Sequence, residues 1–372
     1  MPETIRKLML GLVLIAAASA ALVGSDLAQR HGAGKEQAAP TAGGPDPARL
    51  RSLAWVTYSL TPPVEECQTG MRDELAKLGW VEGTTIRTLV RDAQLDVGTL
   101  NTMAAAIADQ PPEIVCTFTT VALQAVMRRN ERTPIVFSLV ADPVLAGAGT
   151  SDTDHRANVT GISTRADFER MAEVIAQVMP RAKVIGTIYC PGEINSVFSR
   201  GEFEKALAAR GVRLEAAAAD RATDYSQAGD TLVARRVDLI VQIPDAMSST
   251  AFPALGRIAE RTRTPLFSFT TAHLRAGAML TVARDFEQLG RQAAHQIDRV
   301  LRGADPAGMP FEEPTRTIVA TNPDKARLYG VEIPPALAAK VDLTVRDAPD
   351  APAAPPGQAP AATPPAAKEP AK

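Results

Sequence analysis

A chain of 372 residues in which 45% of the side chains are hydrophobic can bury one large core or two cores of medium size. Its 40 basic and 42 acidic residues nearly cancel, and no block of Lys or Arg stands out. This balance argues against nucleic acid as a partner, because a nucleic-acid-binding face needs concentrated positive charge.

The N-terminal segment has the pattern of an export signal. Arg6 and Lys7 precede an uncharged apolar run over residues 8–24, and Ala18-Ser19-Ala20 offers a small-x-small cleavage site. The run is also close to the shortest length that crosses a bilayer as a helix. We therefore predict that residues 1–24 are either a cleaved signal peptide or a retained membrane anchor.

Two further segments lack the apolar residues that a folded core requires. Residues 25–51 are rich in Gly, Ala, Pro and Gln, and residues 348–372 consist almost wholly of Ala and Pro. Both compositions predict disorder, so we interpret the first segment as a linker and the second as a tail on either side of the folded region.

Between these segments, short β-branched or apolar runs alternate with longer helical patterns. This alternation is typical of βαβ units with a parallel sheet. A second series of strands and helices begins at Val184 and runs much like the first. We therefore predict an α/β fold of two consecutive Rossmann-like, doubly wound lobes. The predicted strands are 53–58, 85–91, 114–118, 135–139, 184–189, 213–217, 239–242, 266–268 and 278–282.

The sequence contains no recognisable catalytic constellation. It has no GxSxG elbow, no GxxxxGK, no HExxH and no GxGxxG after a strand. Cys67, Cys116 and Cys190 do not have metal-ligand spacing and allow at most one disulfide. Only His273 follows a predicted strand, where a catalytic base would lie. We therefore expect no enzymatic activity, no cofactor and no metal.

Polar residues cluster in the turns that follow the predicted strands. Ligands of doubly wound sheets bind outside the carboxyl ends of the strands. Each turn alone also fits simple helix capping, but their shared position at one sheet edge favours binding. The helix N-terminus at Asn195-Ser196 is a natural site for a carboxylate or another anion, and together with the one at Thr119-Thr120 it is expected to hold the polar end of the ligand. The candidate ligand-binding residues are Ser59, Thr119, Thr120, Asp142, Asn195, Ser196, Asp245 and Thr270.

Several segments together resemble a known family. From about Ser52 to Asp342 the chain is similar to the substrate-binding proteins of ABC transporters, of the type that includes tryptophan- and tyrosine-uptake lipoproteins. No cysteine follows the apolar run, so the usual lipid attachment point of such lipoproteins is missing. The segments that carry the resemblance, by their order and spacing, are 70–83 (GMRDELAKLGWVEG), 141–144 (ADPV), 158–163 (NVTGIS), 191–196 (PGEINS), 289–294 (LGRQAA) and 329–334 (YGVEIP).

The resemblance implies a periplasmic binding protein of type I, in which two lobes joined by crossovers hold a solute in their cleft without chemistry. Lobe one would comprise residues 52–163 and 277–305, and lobe two residues 164–276 and 315–342. The hinge candidates are then Asn158, Gly161 and Gly277. The resemblance also implies a monomer in the periplasm, with an ABC permease in the inner membrane as its partner.

The solute class is less clearly indicated. Family members that bind amino acids often have acidic residues where this chain has Ala246 and Thr270. Because a buried ammonium group needs a partner, these differences favour a neutral or anionic organic solute, although Asp245 supplies a carboxylate if the register shifts by one residue. The expected ligand is therefore amino-acid-like or a small organic acid. A membrane-anchored ligand sensor or scaffold, and a Rossmann-like enzyme, are the alternative functions.

Overall fold

The computed structural model describes residues 49–347, which form two α/β lobes. The predictions for residues 1–24, for 348–372 and for most of 25–51 lie outside the described residues. The first lobe contains a five-stranded parallel sheet in the order β2-β1-β3-β4-β5. Its strands are β1 (Arg51–Thr57), β2 (Ile86–Asp92), β3 (Ile114–Phe118), β4 (Ile135–Val140) and β5 (Val159–Ser163).

Four helices accompany the first sheet. They are α1 (Pro62–Lys77), α2 (Val97–Asp109), α3 (Thr120–Met127) and, from much later in the chain, α8 (Phe286–Leu301). The apolar face of α8 packs with Trp55 and Met71 in the core of the first lobe, through residues such as Leu289 and Ile297. The first lobe is therefore completed by a helix that follows the second lobe in sequence.

The second lobe contains a seven-stranded sheet in the order β12-β11-β10-β9-β8-β6-β7, in which only the β10–β11 pairing is antiparallel. The predicted fold class, two doubly wound α/β lobes with parallel sheets, is confirmed apart from this pairing. The strands of the second lobe are β6 (Val184–Tyr189), β7 (Arg213–Ala218), β8 (Leu239–Gln242), β9 (Leu266–Ser268), β10 (Leu280–Arg284), β11 (Thr317–Thr321) and β12 (Leu343–Thr344). Its helices are α4 (Phe168–Val178), α5 (Ile194–Ala208), α6 (Tyr225–Ala234), α7 (Ala246–Thr262), α9 (Pro323–Tyr329) and α10 (Pro335–Ala338).

Within residues 49–347 the chain passes between the lobes three times: after β5, after β10 and before β11. We call these segments the first crossover (164–167), the second crossover (284–286) and the third crossover (312–316). The third crossover begins beside the end of β5, directly before the first crossover, because Ser163 N donates to Glu312 O at 2.8 Å and Glu312 N donates to Gly161 O at 3.0 Å. Asp285 N donates to Arg316 O at 3.2 Å and so joins the second crossover to the third.

The predicted lobe boundary and hinge at Gly277 are wrong. Residues 280–284 form β10, which pairs with β9 and β11 inside the second sheet. Gly277 has φ 119° and packs against Gly256 of α7, where a Cβ atom would lie 2.9 Å from the Gly256 Cα. A hinge must lie on a segment that joins the lobes, and the second crossover begins only at Arg284.

The segment around Asn158 and Gly161 lies within the first lobe. The Asn158 side chain donates to Thr133 O at 3.0 Å, and Gly161 lies in β5, where a Cβ atom would be 2.3 Å from Phe137 O. Their hinge role stays a prediction, although the first crossover begins after them. The predicted linker ends too late by one residue, since Arg51 pairs with Ile86 in the β1–β2 register.

Helices α1 and α8 approach each other more closely than side chains normally allow. A Cβ atom on Gly290 would lie 2.0 Å from Cys67 O, and one on Gly70 would lie 2.0 Å from Glu287 O. The contact between α1 and α8 therefore depends on two glycines, Gly70 and Gly290, at its centre.

Within residues 49–347 no helix is both long and apolar enough to cross a bilayer.

Replacing Gly290 by Ala should lower the free energy of unfolding by about 3 kcal/mol, because the new methyl group must displace the α1 backbone. Urea unfolding followed by circular dichroism measures the change. Gly201→Ala is the matched control: a Cβ atom on Gly201, which lies in α5, would have no neighbour within 4 Å, so the gain in helix propensity should stabilise by up to about 1 kcal/mol. Equal unfolding curves for Gly290→Ala and wild type would contradict the described helix contact.

Candidate ligand-binding cleft

A cavity lies between the two lobes, outside the carboxyl ends of strands from both sheets. It contains about 660 Å³ of space, including the part that is open to solvent. Lobe one contributes Thr61, Pro63, Val64, Thr119, Leu139 and Ala141, and lobe two contributes Asn195, Pro244, Asp245, Ala246, Ser249, Phe269, Thr270 and Val282. The crossovers contribute Thr164, Ala166 and Arg284, and Phe286 opens α8.

Four of the eight predicted ligand-binding residues line this cavity, namely Thr119, Asn195, Asp245 and Thr270. The other four have different surroundings. Ser59 Oγ lies 3.4 Å from Thr250 Oγ1 and so forms a contact between the lobes beside the cavity.

The remaining three predicted residues, Thr120, Asp142 and Ser196, do not line the cavity, and two of them are hydrogen-bonded to neighbouring residues. Asp142 accepts hydrogen bonds from Leu145 N at 2.9 Å and from Arg165 Nη2 at 2.8 Å, so its carboxylate is already paired. The Ser196 hydroxyl donates to Asp245 Oδ2 at 2.5 Å and accepts from Cys190 N at 2.9 Å. Thr120 is buried at the start of α3, behind Thr119.

The lobe-one wall presents the N-terminus of α3. Thr119 precedes this helix with φ 86°, a backbone conformation that is strained for a β-branched residue, and its side chain does not cap the helix. The hydroxyl groups of Thr119 and Thr120 are buried without a hydrogen-bond partner among the described residues. Because the first turn of a helix leaves amide groups unpaired, this wall is rich in unused donors and has positive potential.

The lobe-two wall differs from the lobe-one wall in charge, because two carboxyl groups of the protein occupy the N-terminus of α7. Glu193 accepts hydrogen bonds from the first two amides of α7, Ala246 N at 3.1 Å and Met247 N at 3.0 Å. Asp245 caps the same helix through Ser248 N and is bonded by Ser196 from the first turn of α5. Through the Ser196 hydroxyl, Asp245 also lies at the first turn of α5, and the anion site expected at Asn195-Ser196 stays a prediction.

Burial raises the pKa of both carboxyl groups, Glu193 and Asp245. Desolvation and the neighbouring Asp245 charge raise the pKa of Glu193, and these effects outweigh the two amide hydrogen bonds from α7, which act to lower it. Desolvation also raises the pKa of Asp245, against the hydrogen bonds from Ser196 and Ser248. Neither residue has a cationic partner among the described residues, and Asn195 Oδ1 beside them is buried without a hydrogen bond. The wall therefore offers a site for a cation.

Arg284 supplies positive charge to the cavity from the second crossover. Its Nε donates to Arg165 O at 2.9 Å and its Nη1 donates to Thr317 Oγ1 at 2.7 Å, but it has no ion pair within residues 49–347. The sequence prediction misses Arg284 because it ends this strand at residue 282. The signal used for the other candidates is a polar residue after the strand, and Arg284 is the last residue of β10 itself, so that signal does not reach it.

His273, the one candidate for a catalytic base, does not line the cavity. Its ring stacks on Phe252 with 3.7 Å between centroids, and burial lowers its pKa to about 3. Ser268 Oγ donates its single proton to Gln242 Oε1 at 2.7 Å, so His273 Nδ1, also 2.7 Å from Ser268 Oγ, must be the donor in that contact. His273 is therefore a neutral core residue that holds the turn before Thr270.

The buried carboxyl pair should make the ligand-free protein less stable as the pH rises. The Glu193 pKa rises from 4.5 to about 8 on folding, so between these values the folded state keeps a proton that the unfolded state has lost, and each increase in pH favours unfolding. Glu193→Gln should reduce this loss by about 2 kcal/mol between pH 5 and pH 8, as measured by urea unfolding at each pH.

Glu204→Gln is the control for this titration, because Glu204 lies exposed on the same helix, α5. It should leave the pH dependence of wild type unchanged. If Glu193→Gln has the same pH profile as wild type, the buried carboxyl group does not hold its proton.

Comparisons with known proteins agree with this geometry. A tyrosine-binding protein of Clostridioides difficile (strain R20291) is 23% identical over 271 residues, which cover 73% of this chain and 78% of that protein. A solved ABC domain in complex with L-Trp from Streptococcus pneumonia aligns with a TM-score of 0.74 at 22% identity, over 79% of this chain and all of that one. A conserved domain protein from Vibrio cholerae gives a TM-score of 0.76 at 26% identity, over 79% of this chain and 99% of that one. The family model for ABC transporter substrate binding proteins matches residues 59–345. Since this match spans most of the chain, the protein belongs to the ABC transporter substrate-binding protein family.

Proposed function

We propose that this protein is the extracytoplasmic solute-binding component of an ABC-type uptake system and that it binds an amino acid between its lobes without altering it. The observation that carries the proposal is the pair of uncompensated opposite charges in one cavity. Asp245, backed by Glu193, supplies negative charge, and Arg284 supplies positive charge. Asp245 is buried, and a buried charge without a partner is costly, so a zwitterion that pairs with Asp245 and with the half-buried Arg284 satisfies both groups at once.

In this arrangement the ammonium group of the solute binds beside Asp245 and Asn195 Oδ1. A cation there lets both carboxyl groups ionise, since it offsets the repulsion between them. The sequence favours a neutral or anionic solute, because Ala246 and Thr270 replace acidic residues of amino-acid-binding relatives. We propose an amino acid instead, because Asp245 supplies a carboxylate from the position next to Ala246. A small organic acid lacking an amine would leave the acidic pair without a partner.

The apolar part of the cavity suits the side chain of the solute. Phe269 and Phe286 line it together with Val64, Leu139 and Val282. Apolar and aromatic surfaces stabilise a bound apolar group by removing it from water. The relatives named above include a tyrosine-binding protein and a complex with L-Trp, so aromatic amino acids are the first solutes to test.

The remaining parts of the proposal follow from the family. The partner is a membrane permease, and binding closes the lobes because the solute interacts with both walls of the closed cavity. The first crossover, next to Asn158 and Gly161, supplies the hinge. A ligand sensor on the membrane is the second candidate function, which the same cleft would serve.

A thermal-shift screen followed by calorimetry tests the proposed function. The purified protein is heated with each of the twenty amino acids, with small organic acids and with sugars, because a solute that binds only the folded state raises the melting temperature. We expect a saturable shift with one or more amino acids, which are recovered unchanged. A shift with sugars only, or consumption of the ligand, would contradict the proposal.

Asp245→Asn should weaken amino-acid binding about tenfold or more, because the ammonium group loses a charged acceptor while the helix cap is kept. Isothermal titration calorimetry measures the affinity. Asp238→Asn is the matched control: Asp238 accepts hydrogen bonds from Lys183 N and Val184 N away from the cavity, and its substitution should change the affinity less than about twofold. Equal affinities for the two variants would argue against a role of Asp245 in binding.

A further inference from the structure

We propose that Arg284 binds the carboxylate of the solute and thereby couples solute recognition to the crossovers between the lobes. This inference rests on the proposed function, since it assigns the anionic end of the same site. The family comparisons do not assign this residue any role, and it lies on a segment that the sequence patterns leave outside the candidate site.

The first support is the position of Arg284 in the chain. It is the last residue of β10 and the first of the second crossover, at the point where the chain leaves the second lobe for α8. Its side chain lines the cavity between the lobes. A group bound to this guanidinium therefore contacts the segment on which the two lobes pivot.

The second support is the way its donors are used. Nε reaches Arg165 O in the first crossover, and Nη1 reaches Thr317 Oγ1 where the third crossover enters β11. Both partners are neutral oxygens, so the charge stays uncompensated within residues 49–347. A guanidinium carries five N–H donors, and these two hydrogen bonds leave three available for a carboxylate.

The third support is the asymmetry of the cavity walls. On the lobe-two wall, Glu193 and Asp245 occupy the N-terminus of α7, and Ser196 of α5 donates to Asp245, so that helix terminus is not open to a carboxylate. Arg284 and the uncapped N-termini of α1 and α3 are positive groups that face the same cavity. The carboxylate is thus directed toward the crossovers and lobe one, while the amine is held by lobe two. A solute with both groups bridges the lobes.

A comparison of one amino acid with its carboxamide tests this inference, because the amide keeps the amine and the side chain but lacks the negative charge. The probes are L-tyrosine and L-tyrosinamide, titrated into wild type, Arg284→Gln and Arg284→Lys by calorimetry. Wild type should prefer L-tyrosine by about a hundredfold. Arg284→Gln should bind both probes within about threefold of each other, and Arg284→Lys, which keeps the charge without the fork geometry, should retain an intermediate preference.

The ratio between the two probes separates a ligand contact from a structural role. If Arg284 only joined the crossovers, its replacement would weaken both probes equally and the preference of wild type would persist in Arg284→Gln, which would overturn the inference but not the proposed function. Arg316→Gln is the control, since Arg316 lies in the third crossover with its charge near Asp285 and Asp342, and it should keep the wild-type ratio. Absence of saturable binding of any amino acid to wild type would count against the proposed function itself.

Discussion

Among residues 49–347, three segments of chain cross between the lobes, and backbone hydrogen bonds tie them together. Ser163 N and Glu312 N join the end of β5, directly before the first crossover, to the third crossover, and Asp285 N joins the second to the third. Because each crossover starts or ends at the carboxyl or amino end of a sheet strand, this constraint sets both sheet edges opposite each other. The cavity lies directly beside the bundle of crossovers, so a solute in it contacts the pivot as well as both walls.

The charges of the cavity follow from the helices that end at these edges. Helix N-termini favour negative charge, and the two lobes satisfy this preference differently. In lobe two the protein supplies its own carboxylates, Glu193 and Asp245, which removes anion binding from that wall and creates a site for a cation. In lobe one the N-terminus of α3 stays uncapped and Thr119 is held in a strained conformation. Strain that persists beside a cavity, with buried hydroxyls that lack partners, is typical of a binding wall prepared for a ligand.

Much of the fold can be predicted from the sequence, because local patterns determine it. The alternation of apolar runs and helical periods predicts both lobes, and predicted strands such as 114–118 and 184–189 have the same bounds in the structure. Strand β5 is not predicted from the sequence, because the glycine in Val-Thr-Gly-Ile-Ser is more typical of a turn or hinge than of a strand. In the structure Gly161 is required within β5, because Phe137 O approaches it too closely for a side chain. Gly277 is likewise predicted as a hinge because glycine is typical of hinges, and the pairing of β10 with β9 shows that it lies within lobe two.

The candidate site is predicted only in part. Thr119, Asn195, Asp245 and Thr270 line the cavity because polar residues after parallel strands converge at one edge. Glu193 lies in one of the same turns, but its role depends on amides 53 and 54 residues later in the chain, which no local pattern indicates. Whether a polar residue in such a turn faces the cavity or supports its neighbour, as Ser196 supports Asp245, is likewise decided by tertiary contacts.

We propose that one solute satisfies opposite charges on the two sides of the cavity. Calorimetric titration of the wild-type protein with L-tyrosine, with tyramine, which lacks the carboxylate, and with 3-(4-hydroxyphenyl)propionate, which lacks the amine, tests it most directly. Each analogue leaves either the buried Asp245 or the half-buried Arg284 without its partner and is predicted to bind at least about a hundredfold more weakly than L-tyrosine. If 3-(4-hydroxyphenyl)propionate binds as tightly as L-tyrosine, the acidic pair Glu193 and Asp245 does not bind the solute and the account is contradicted.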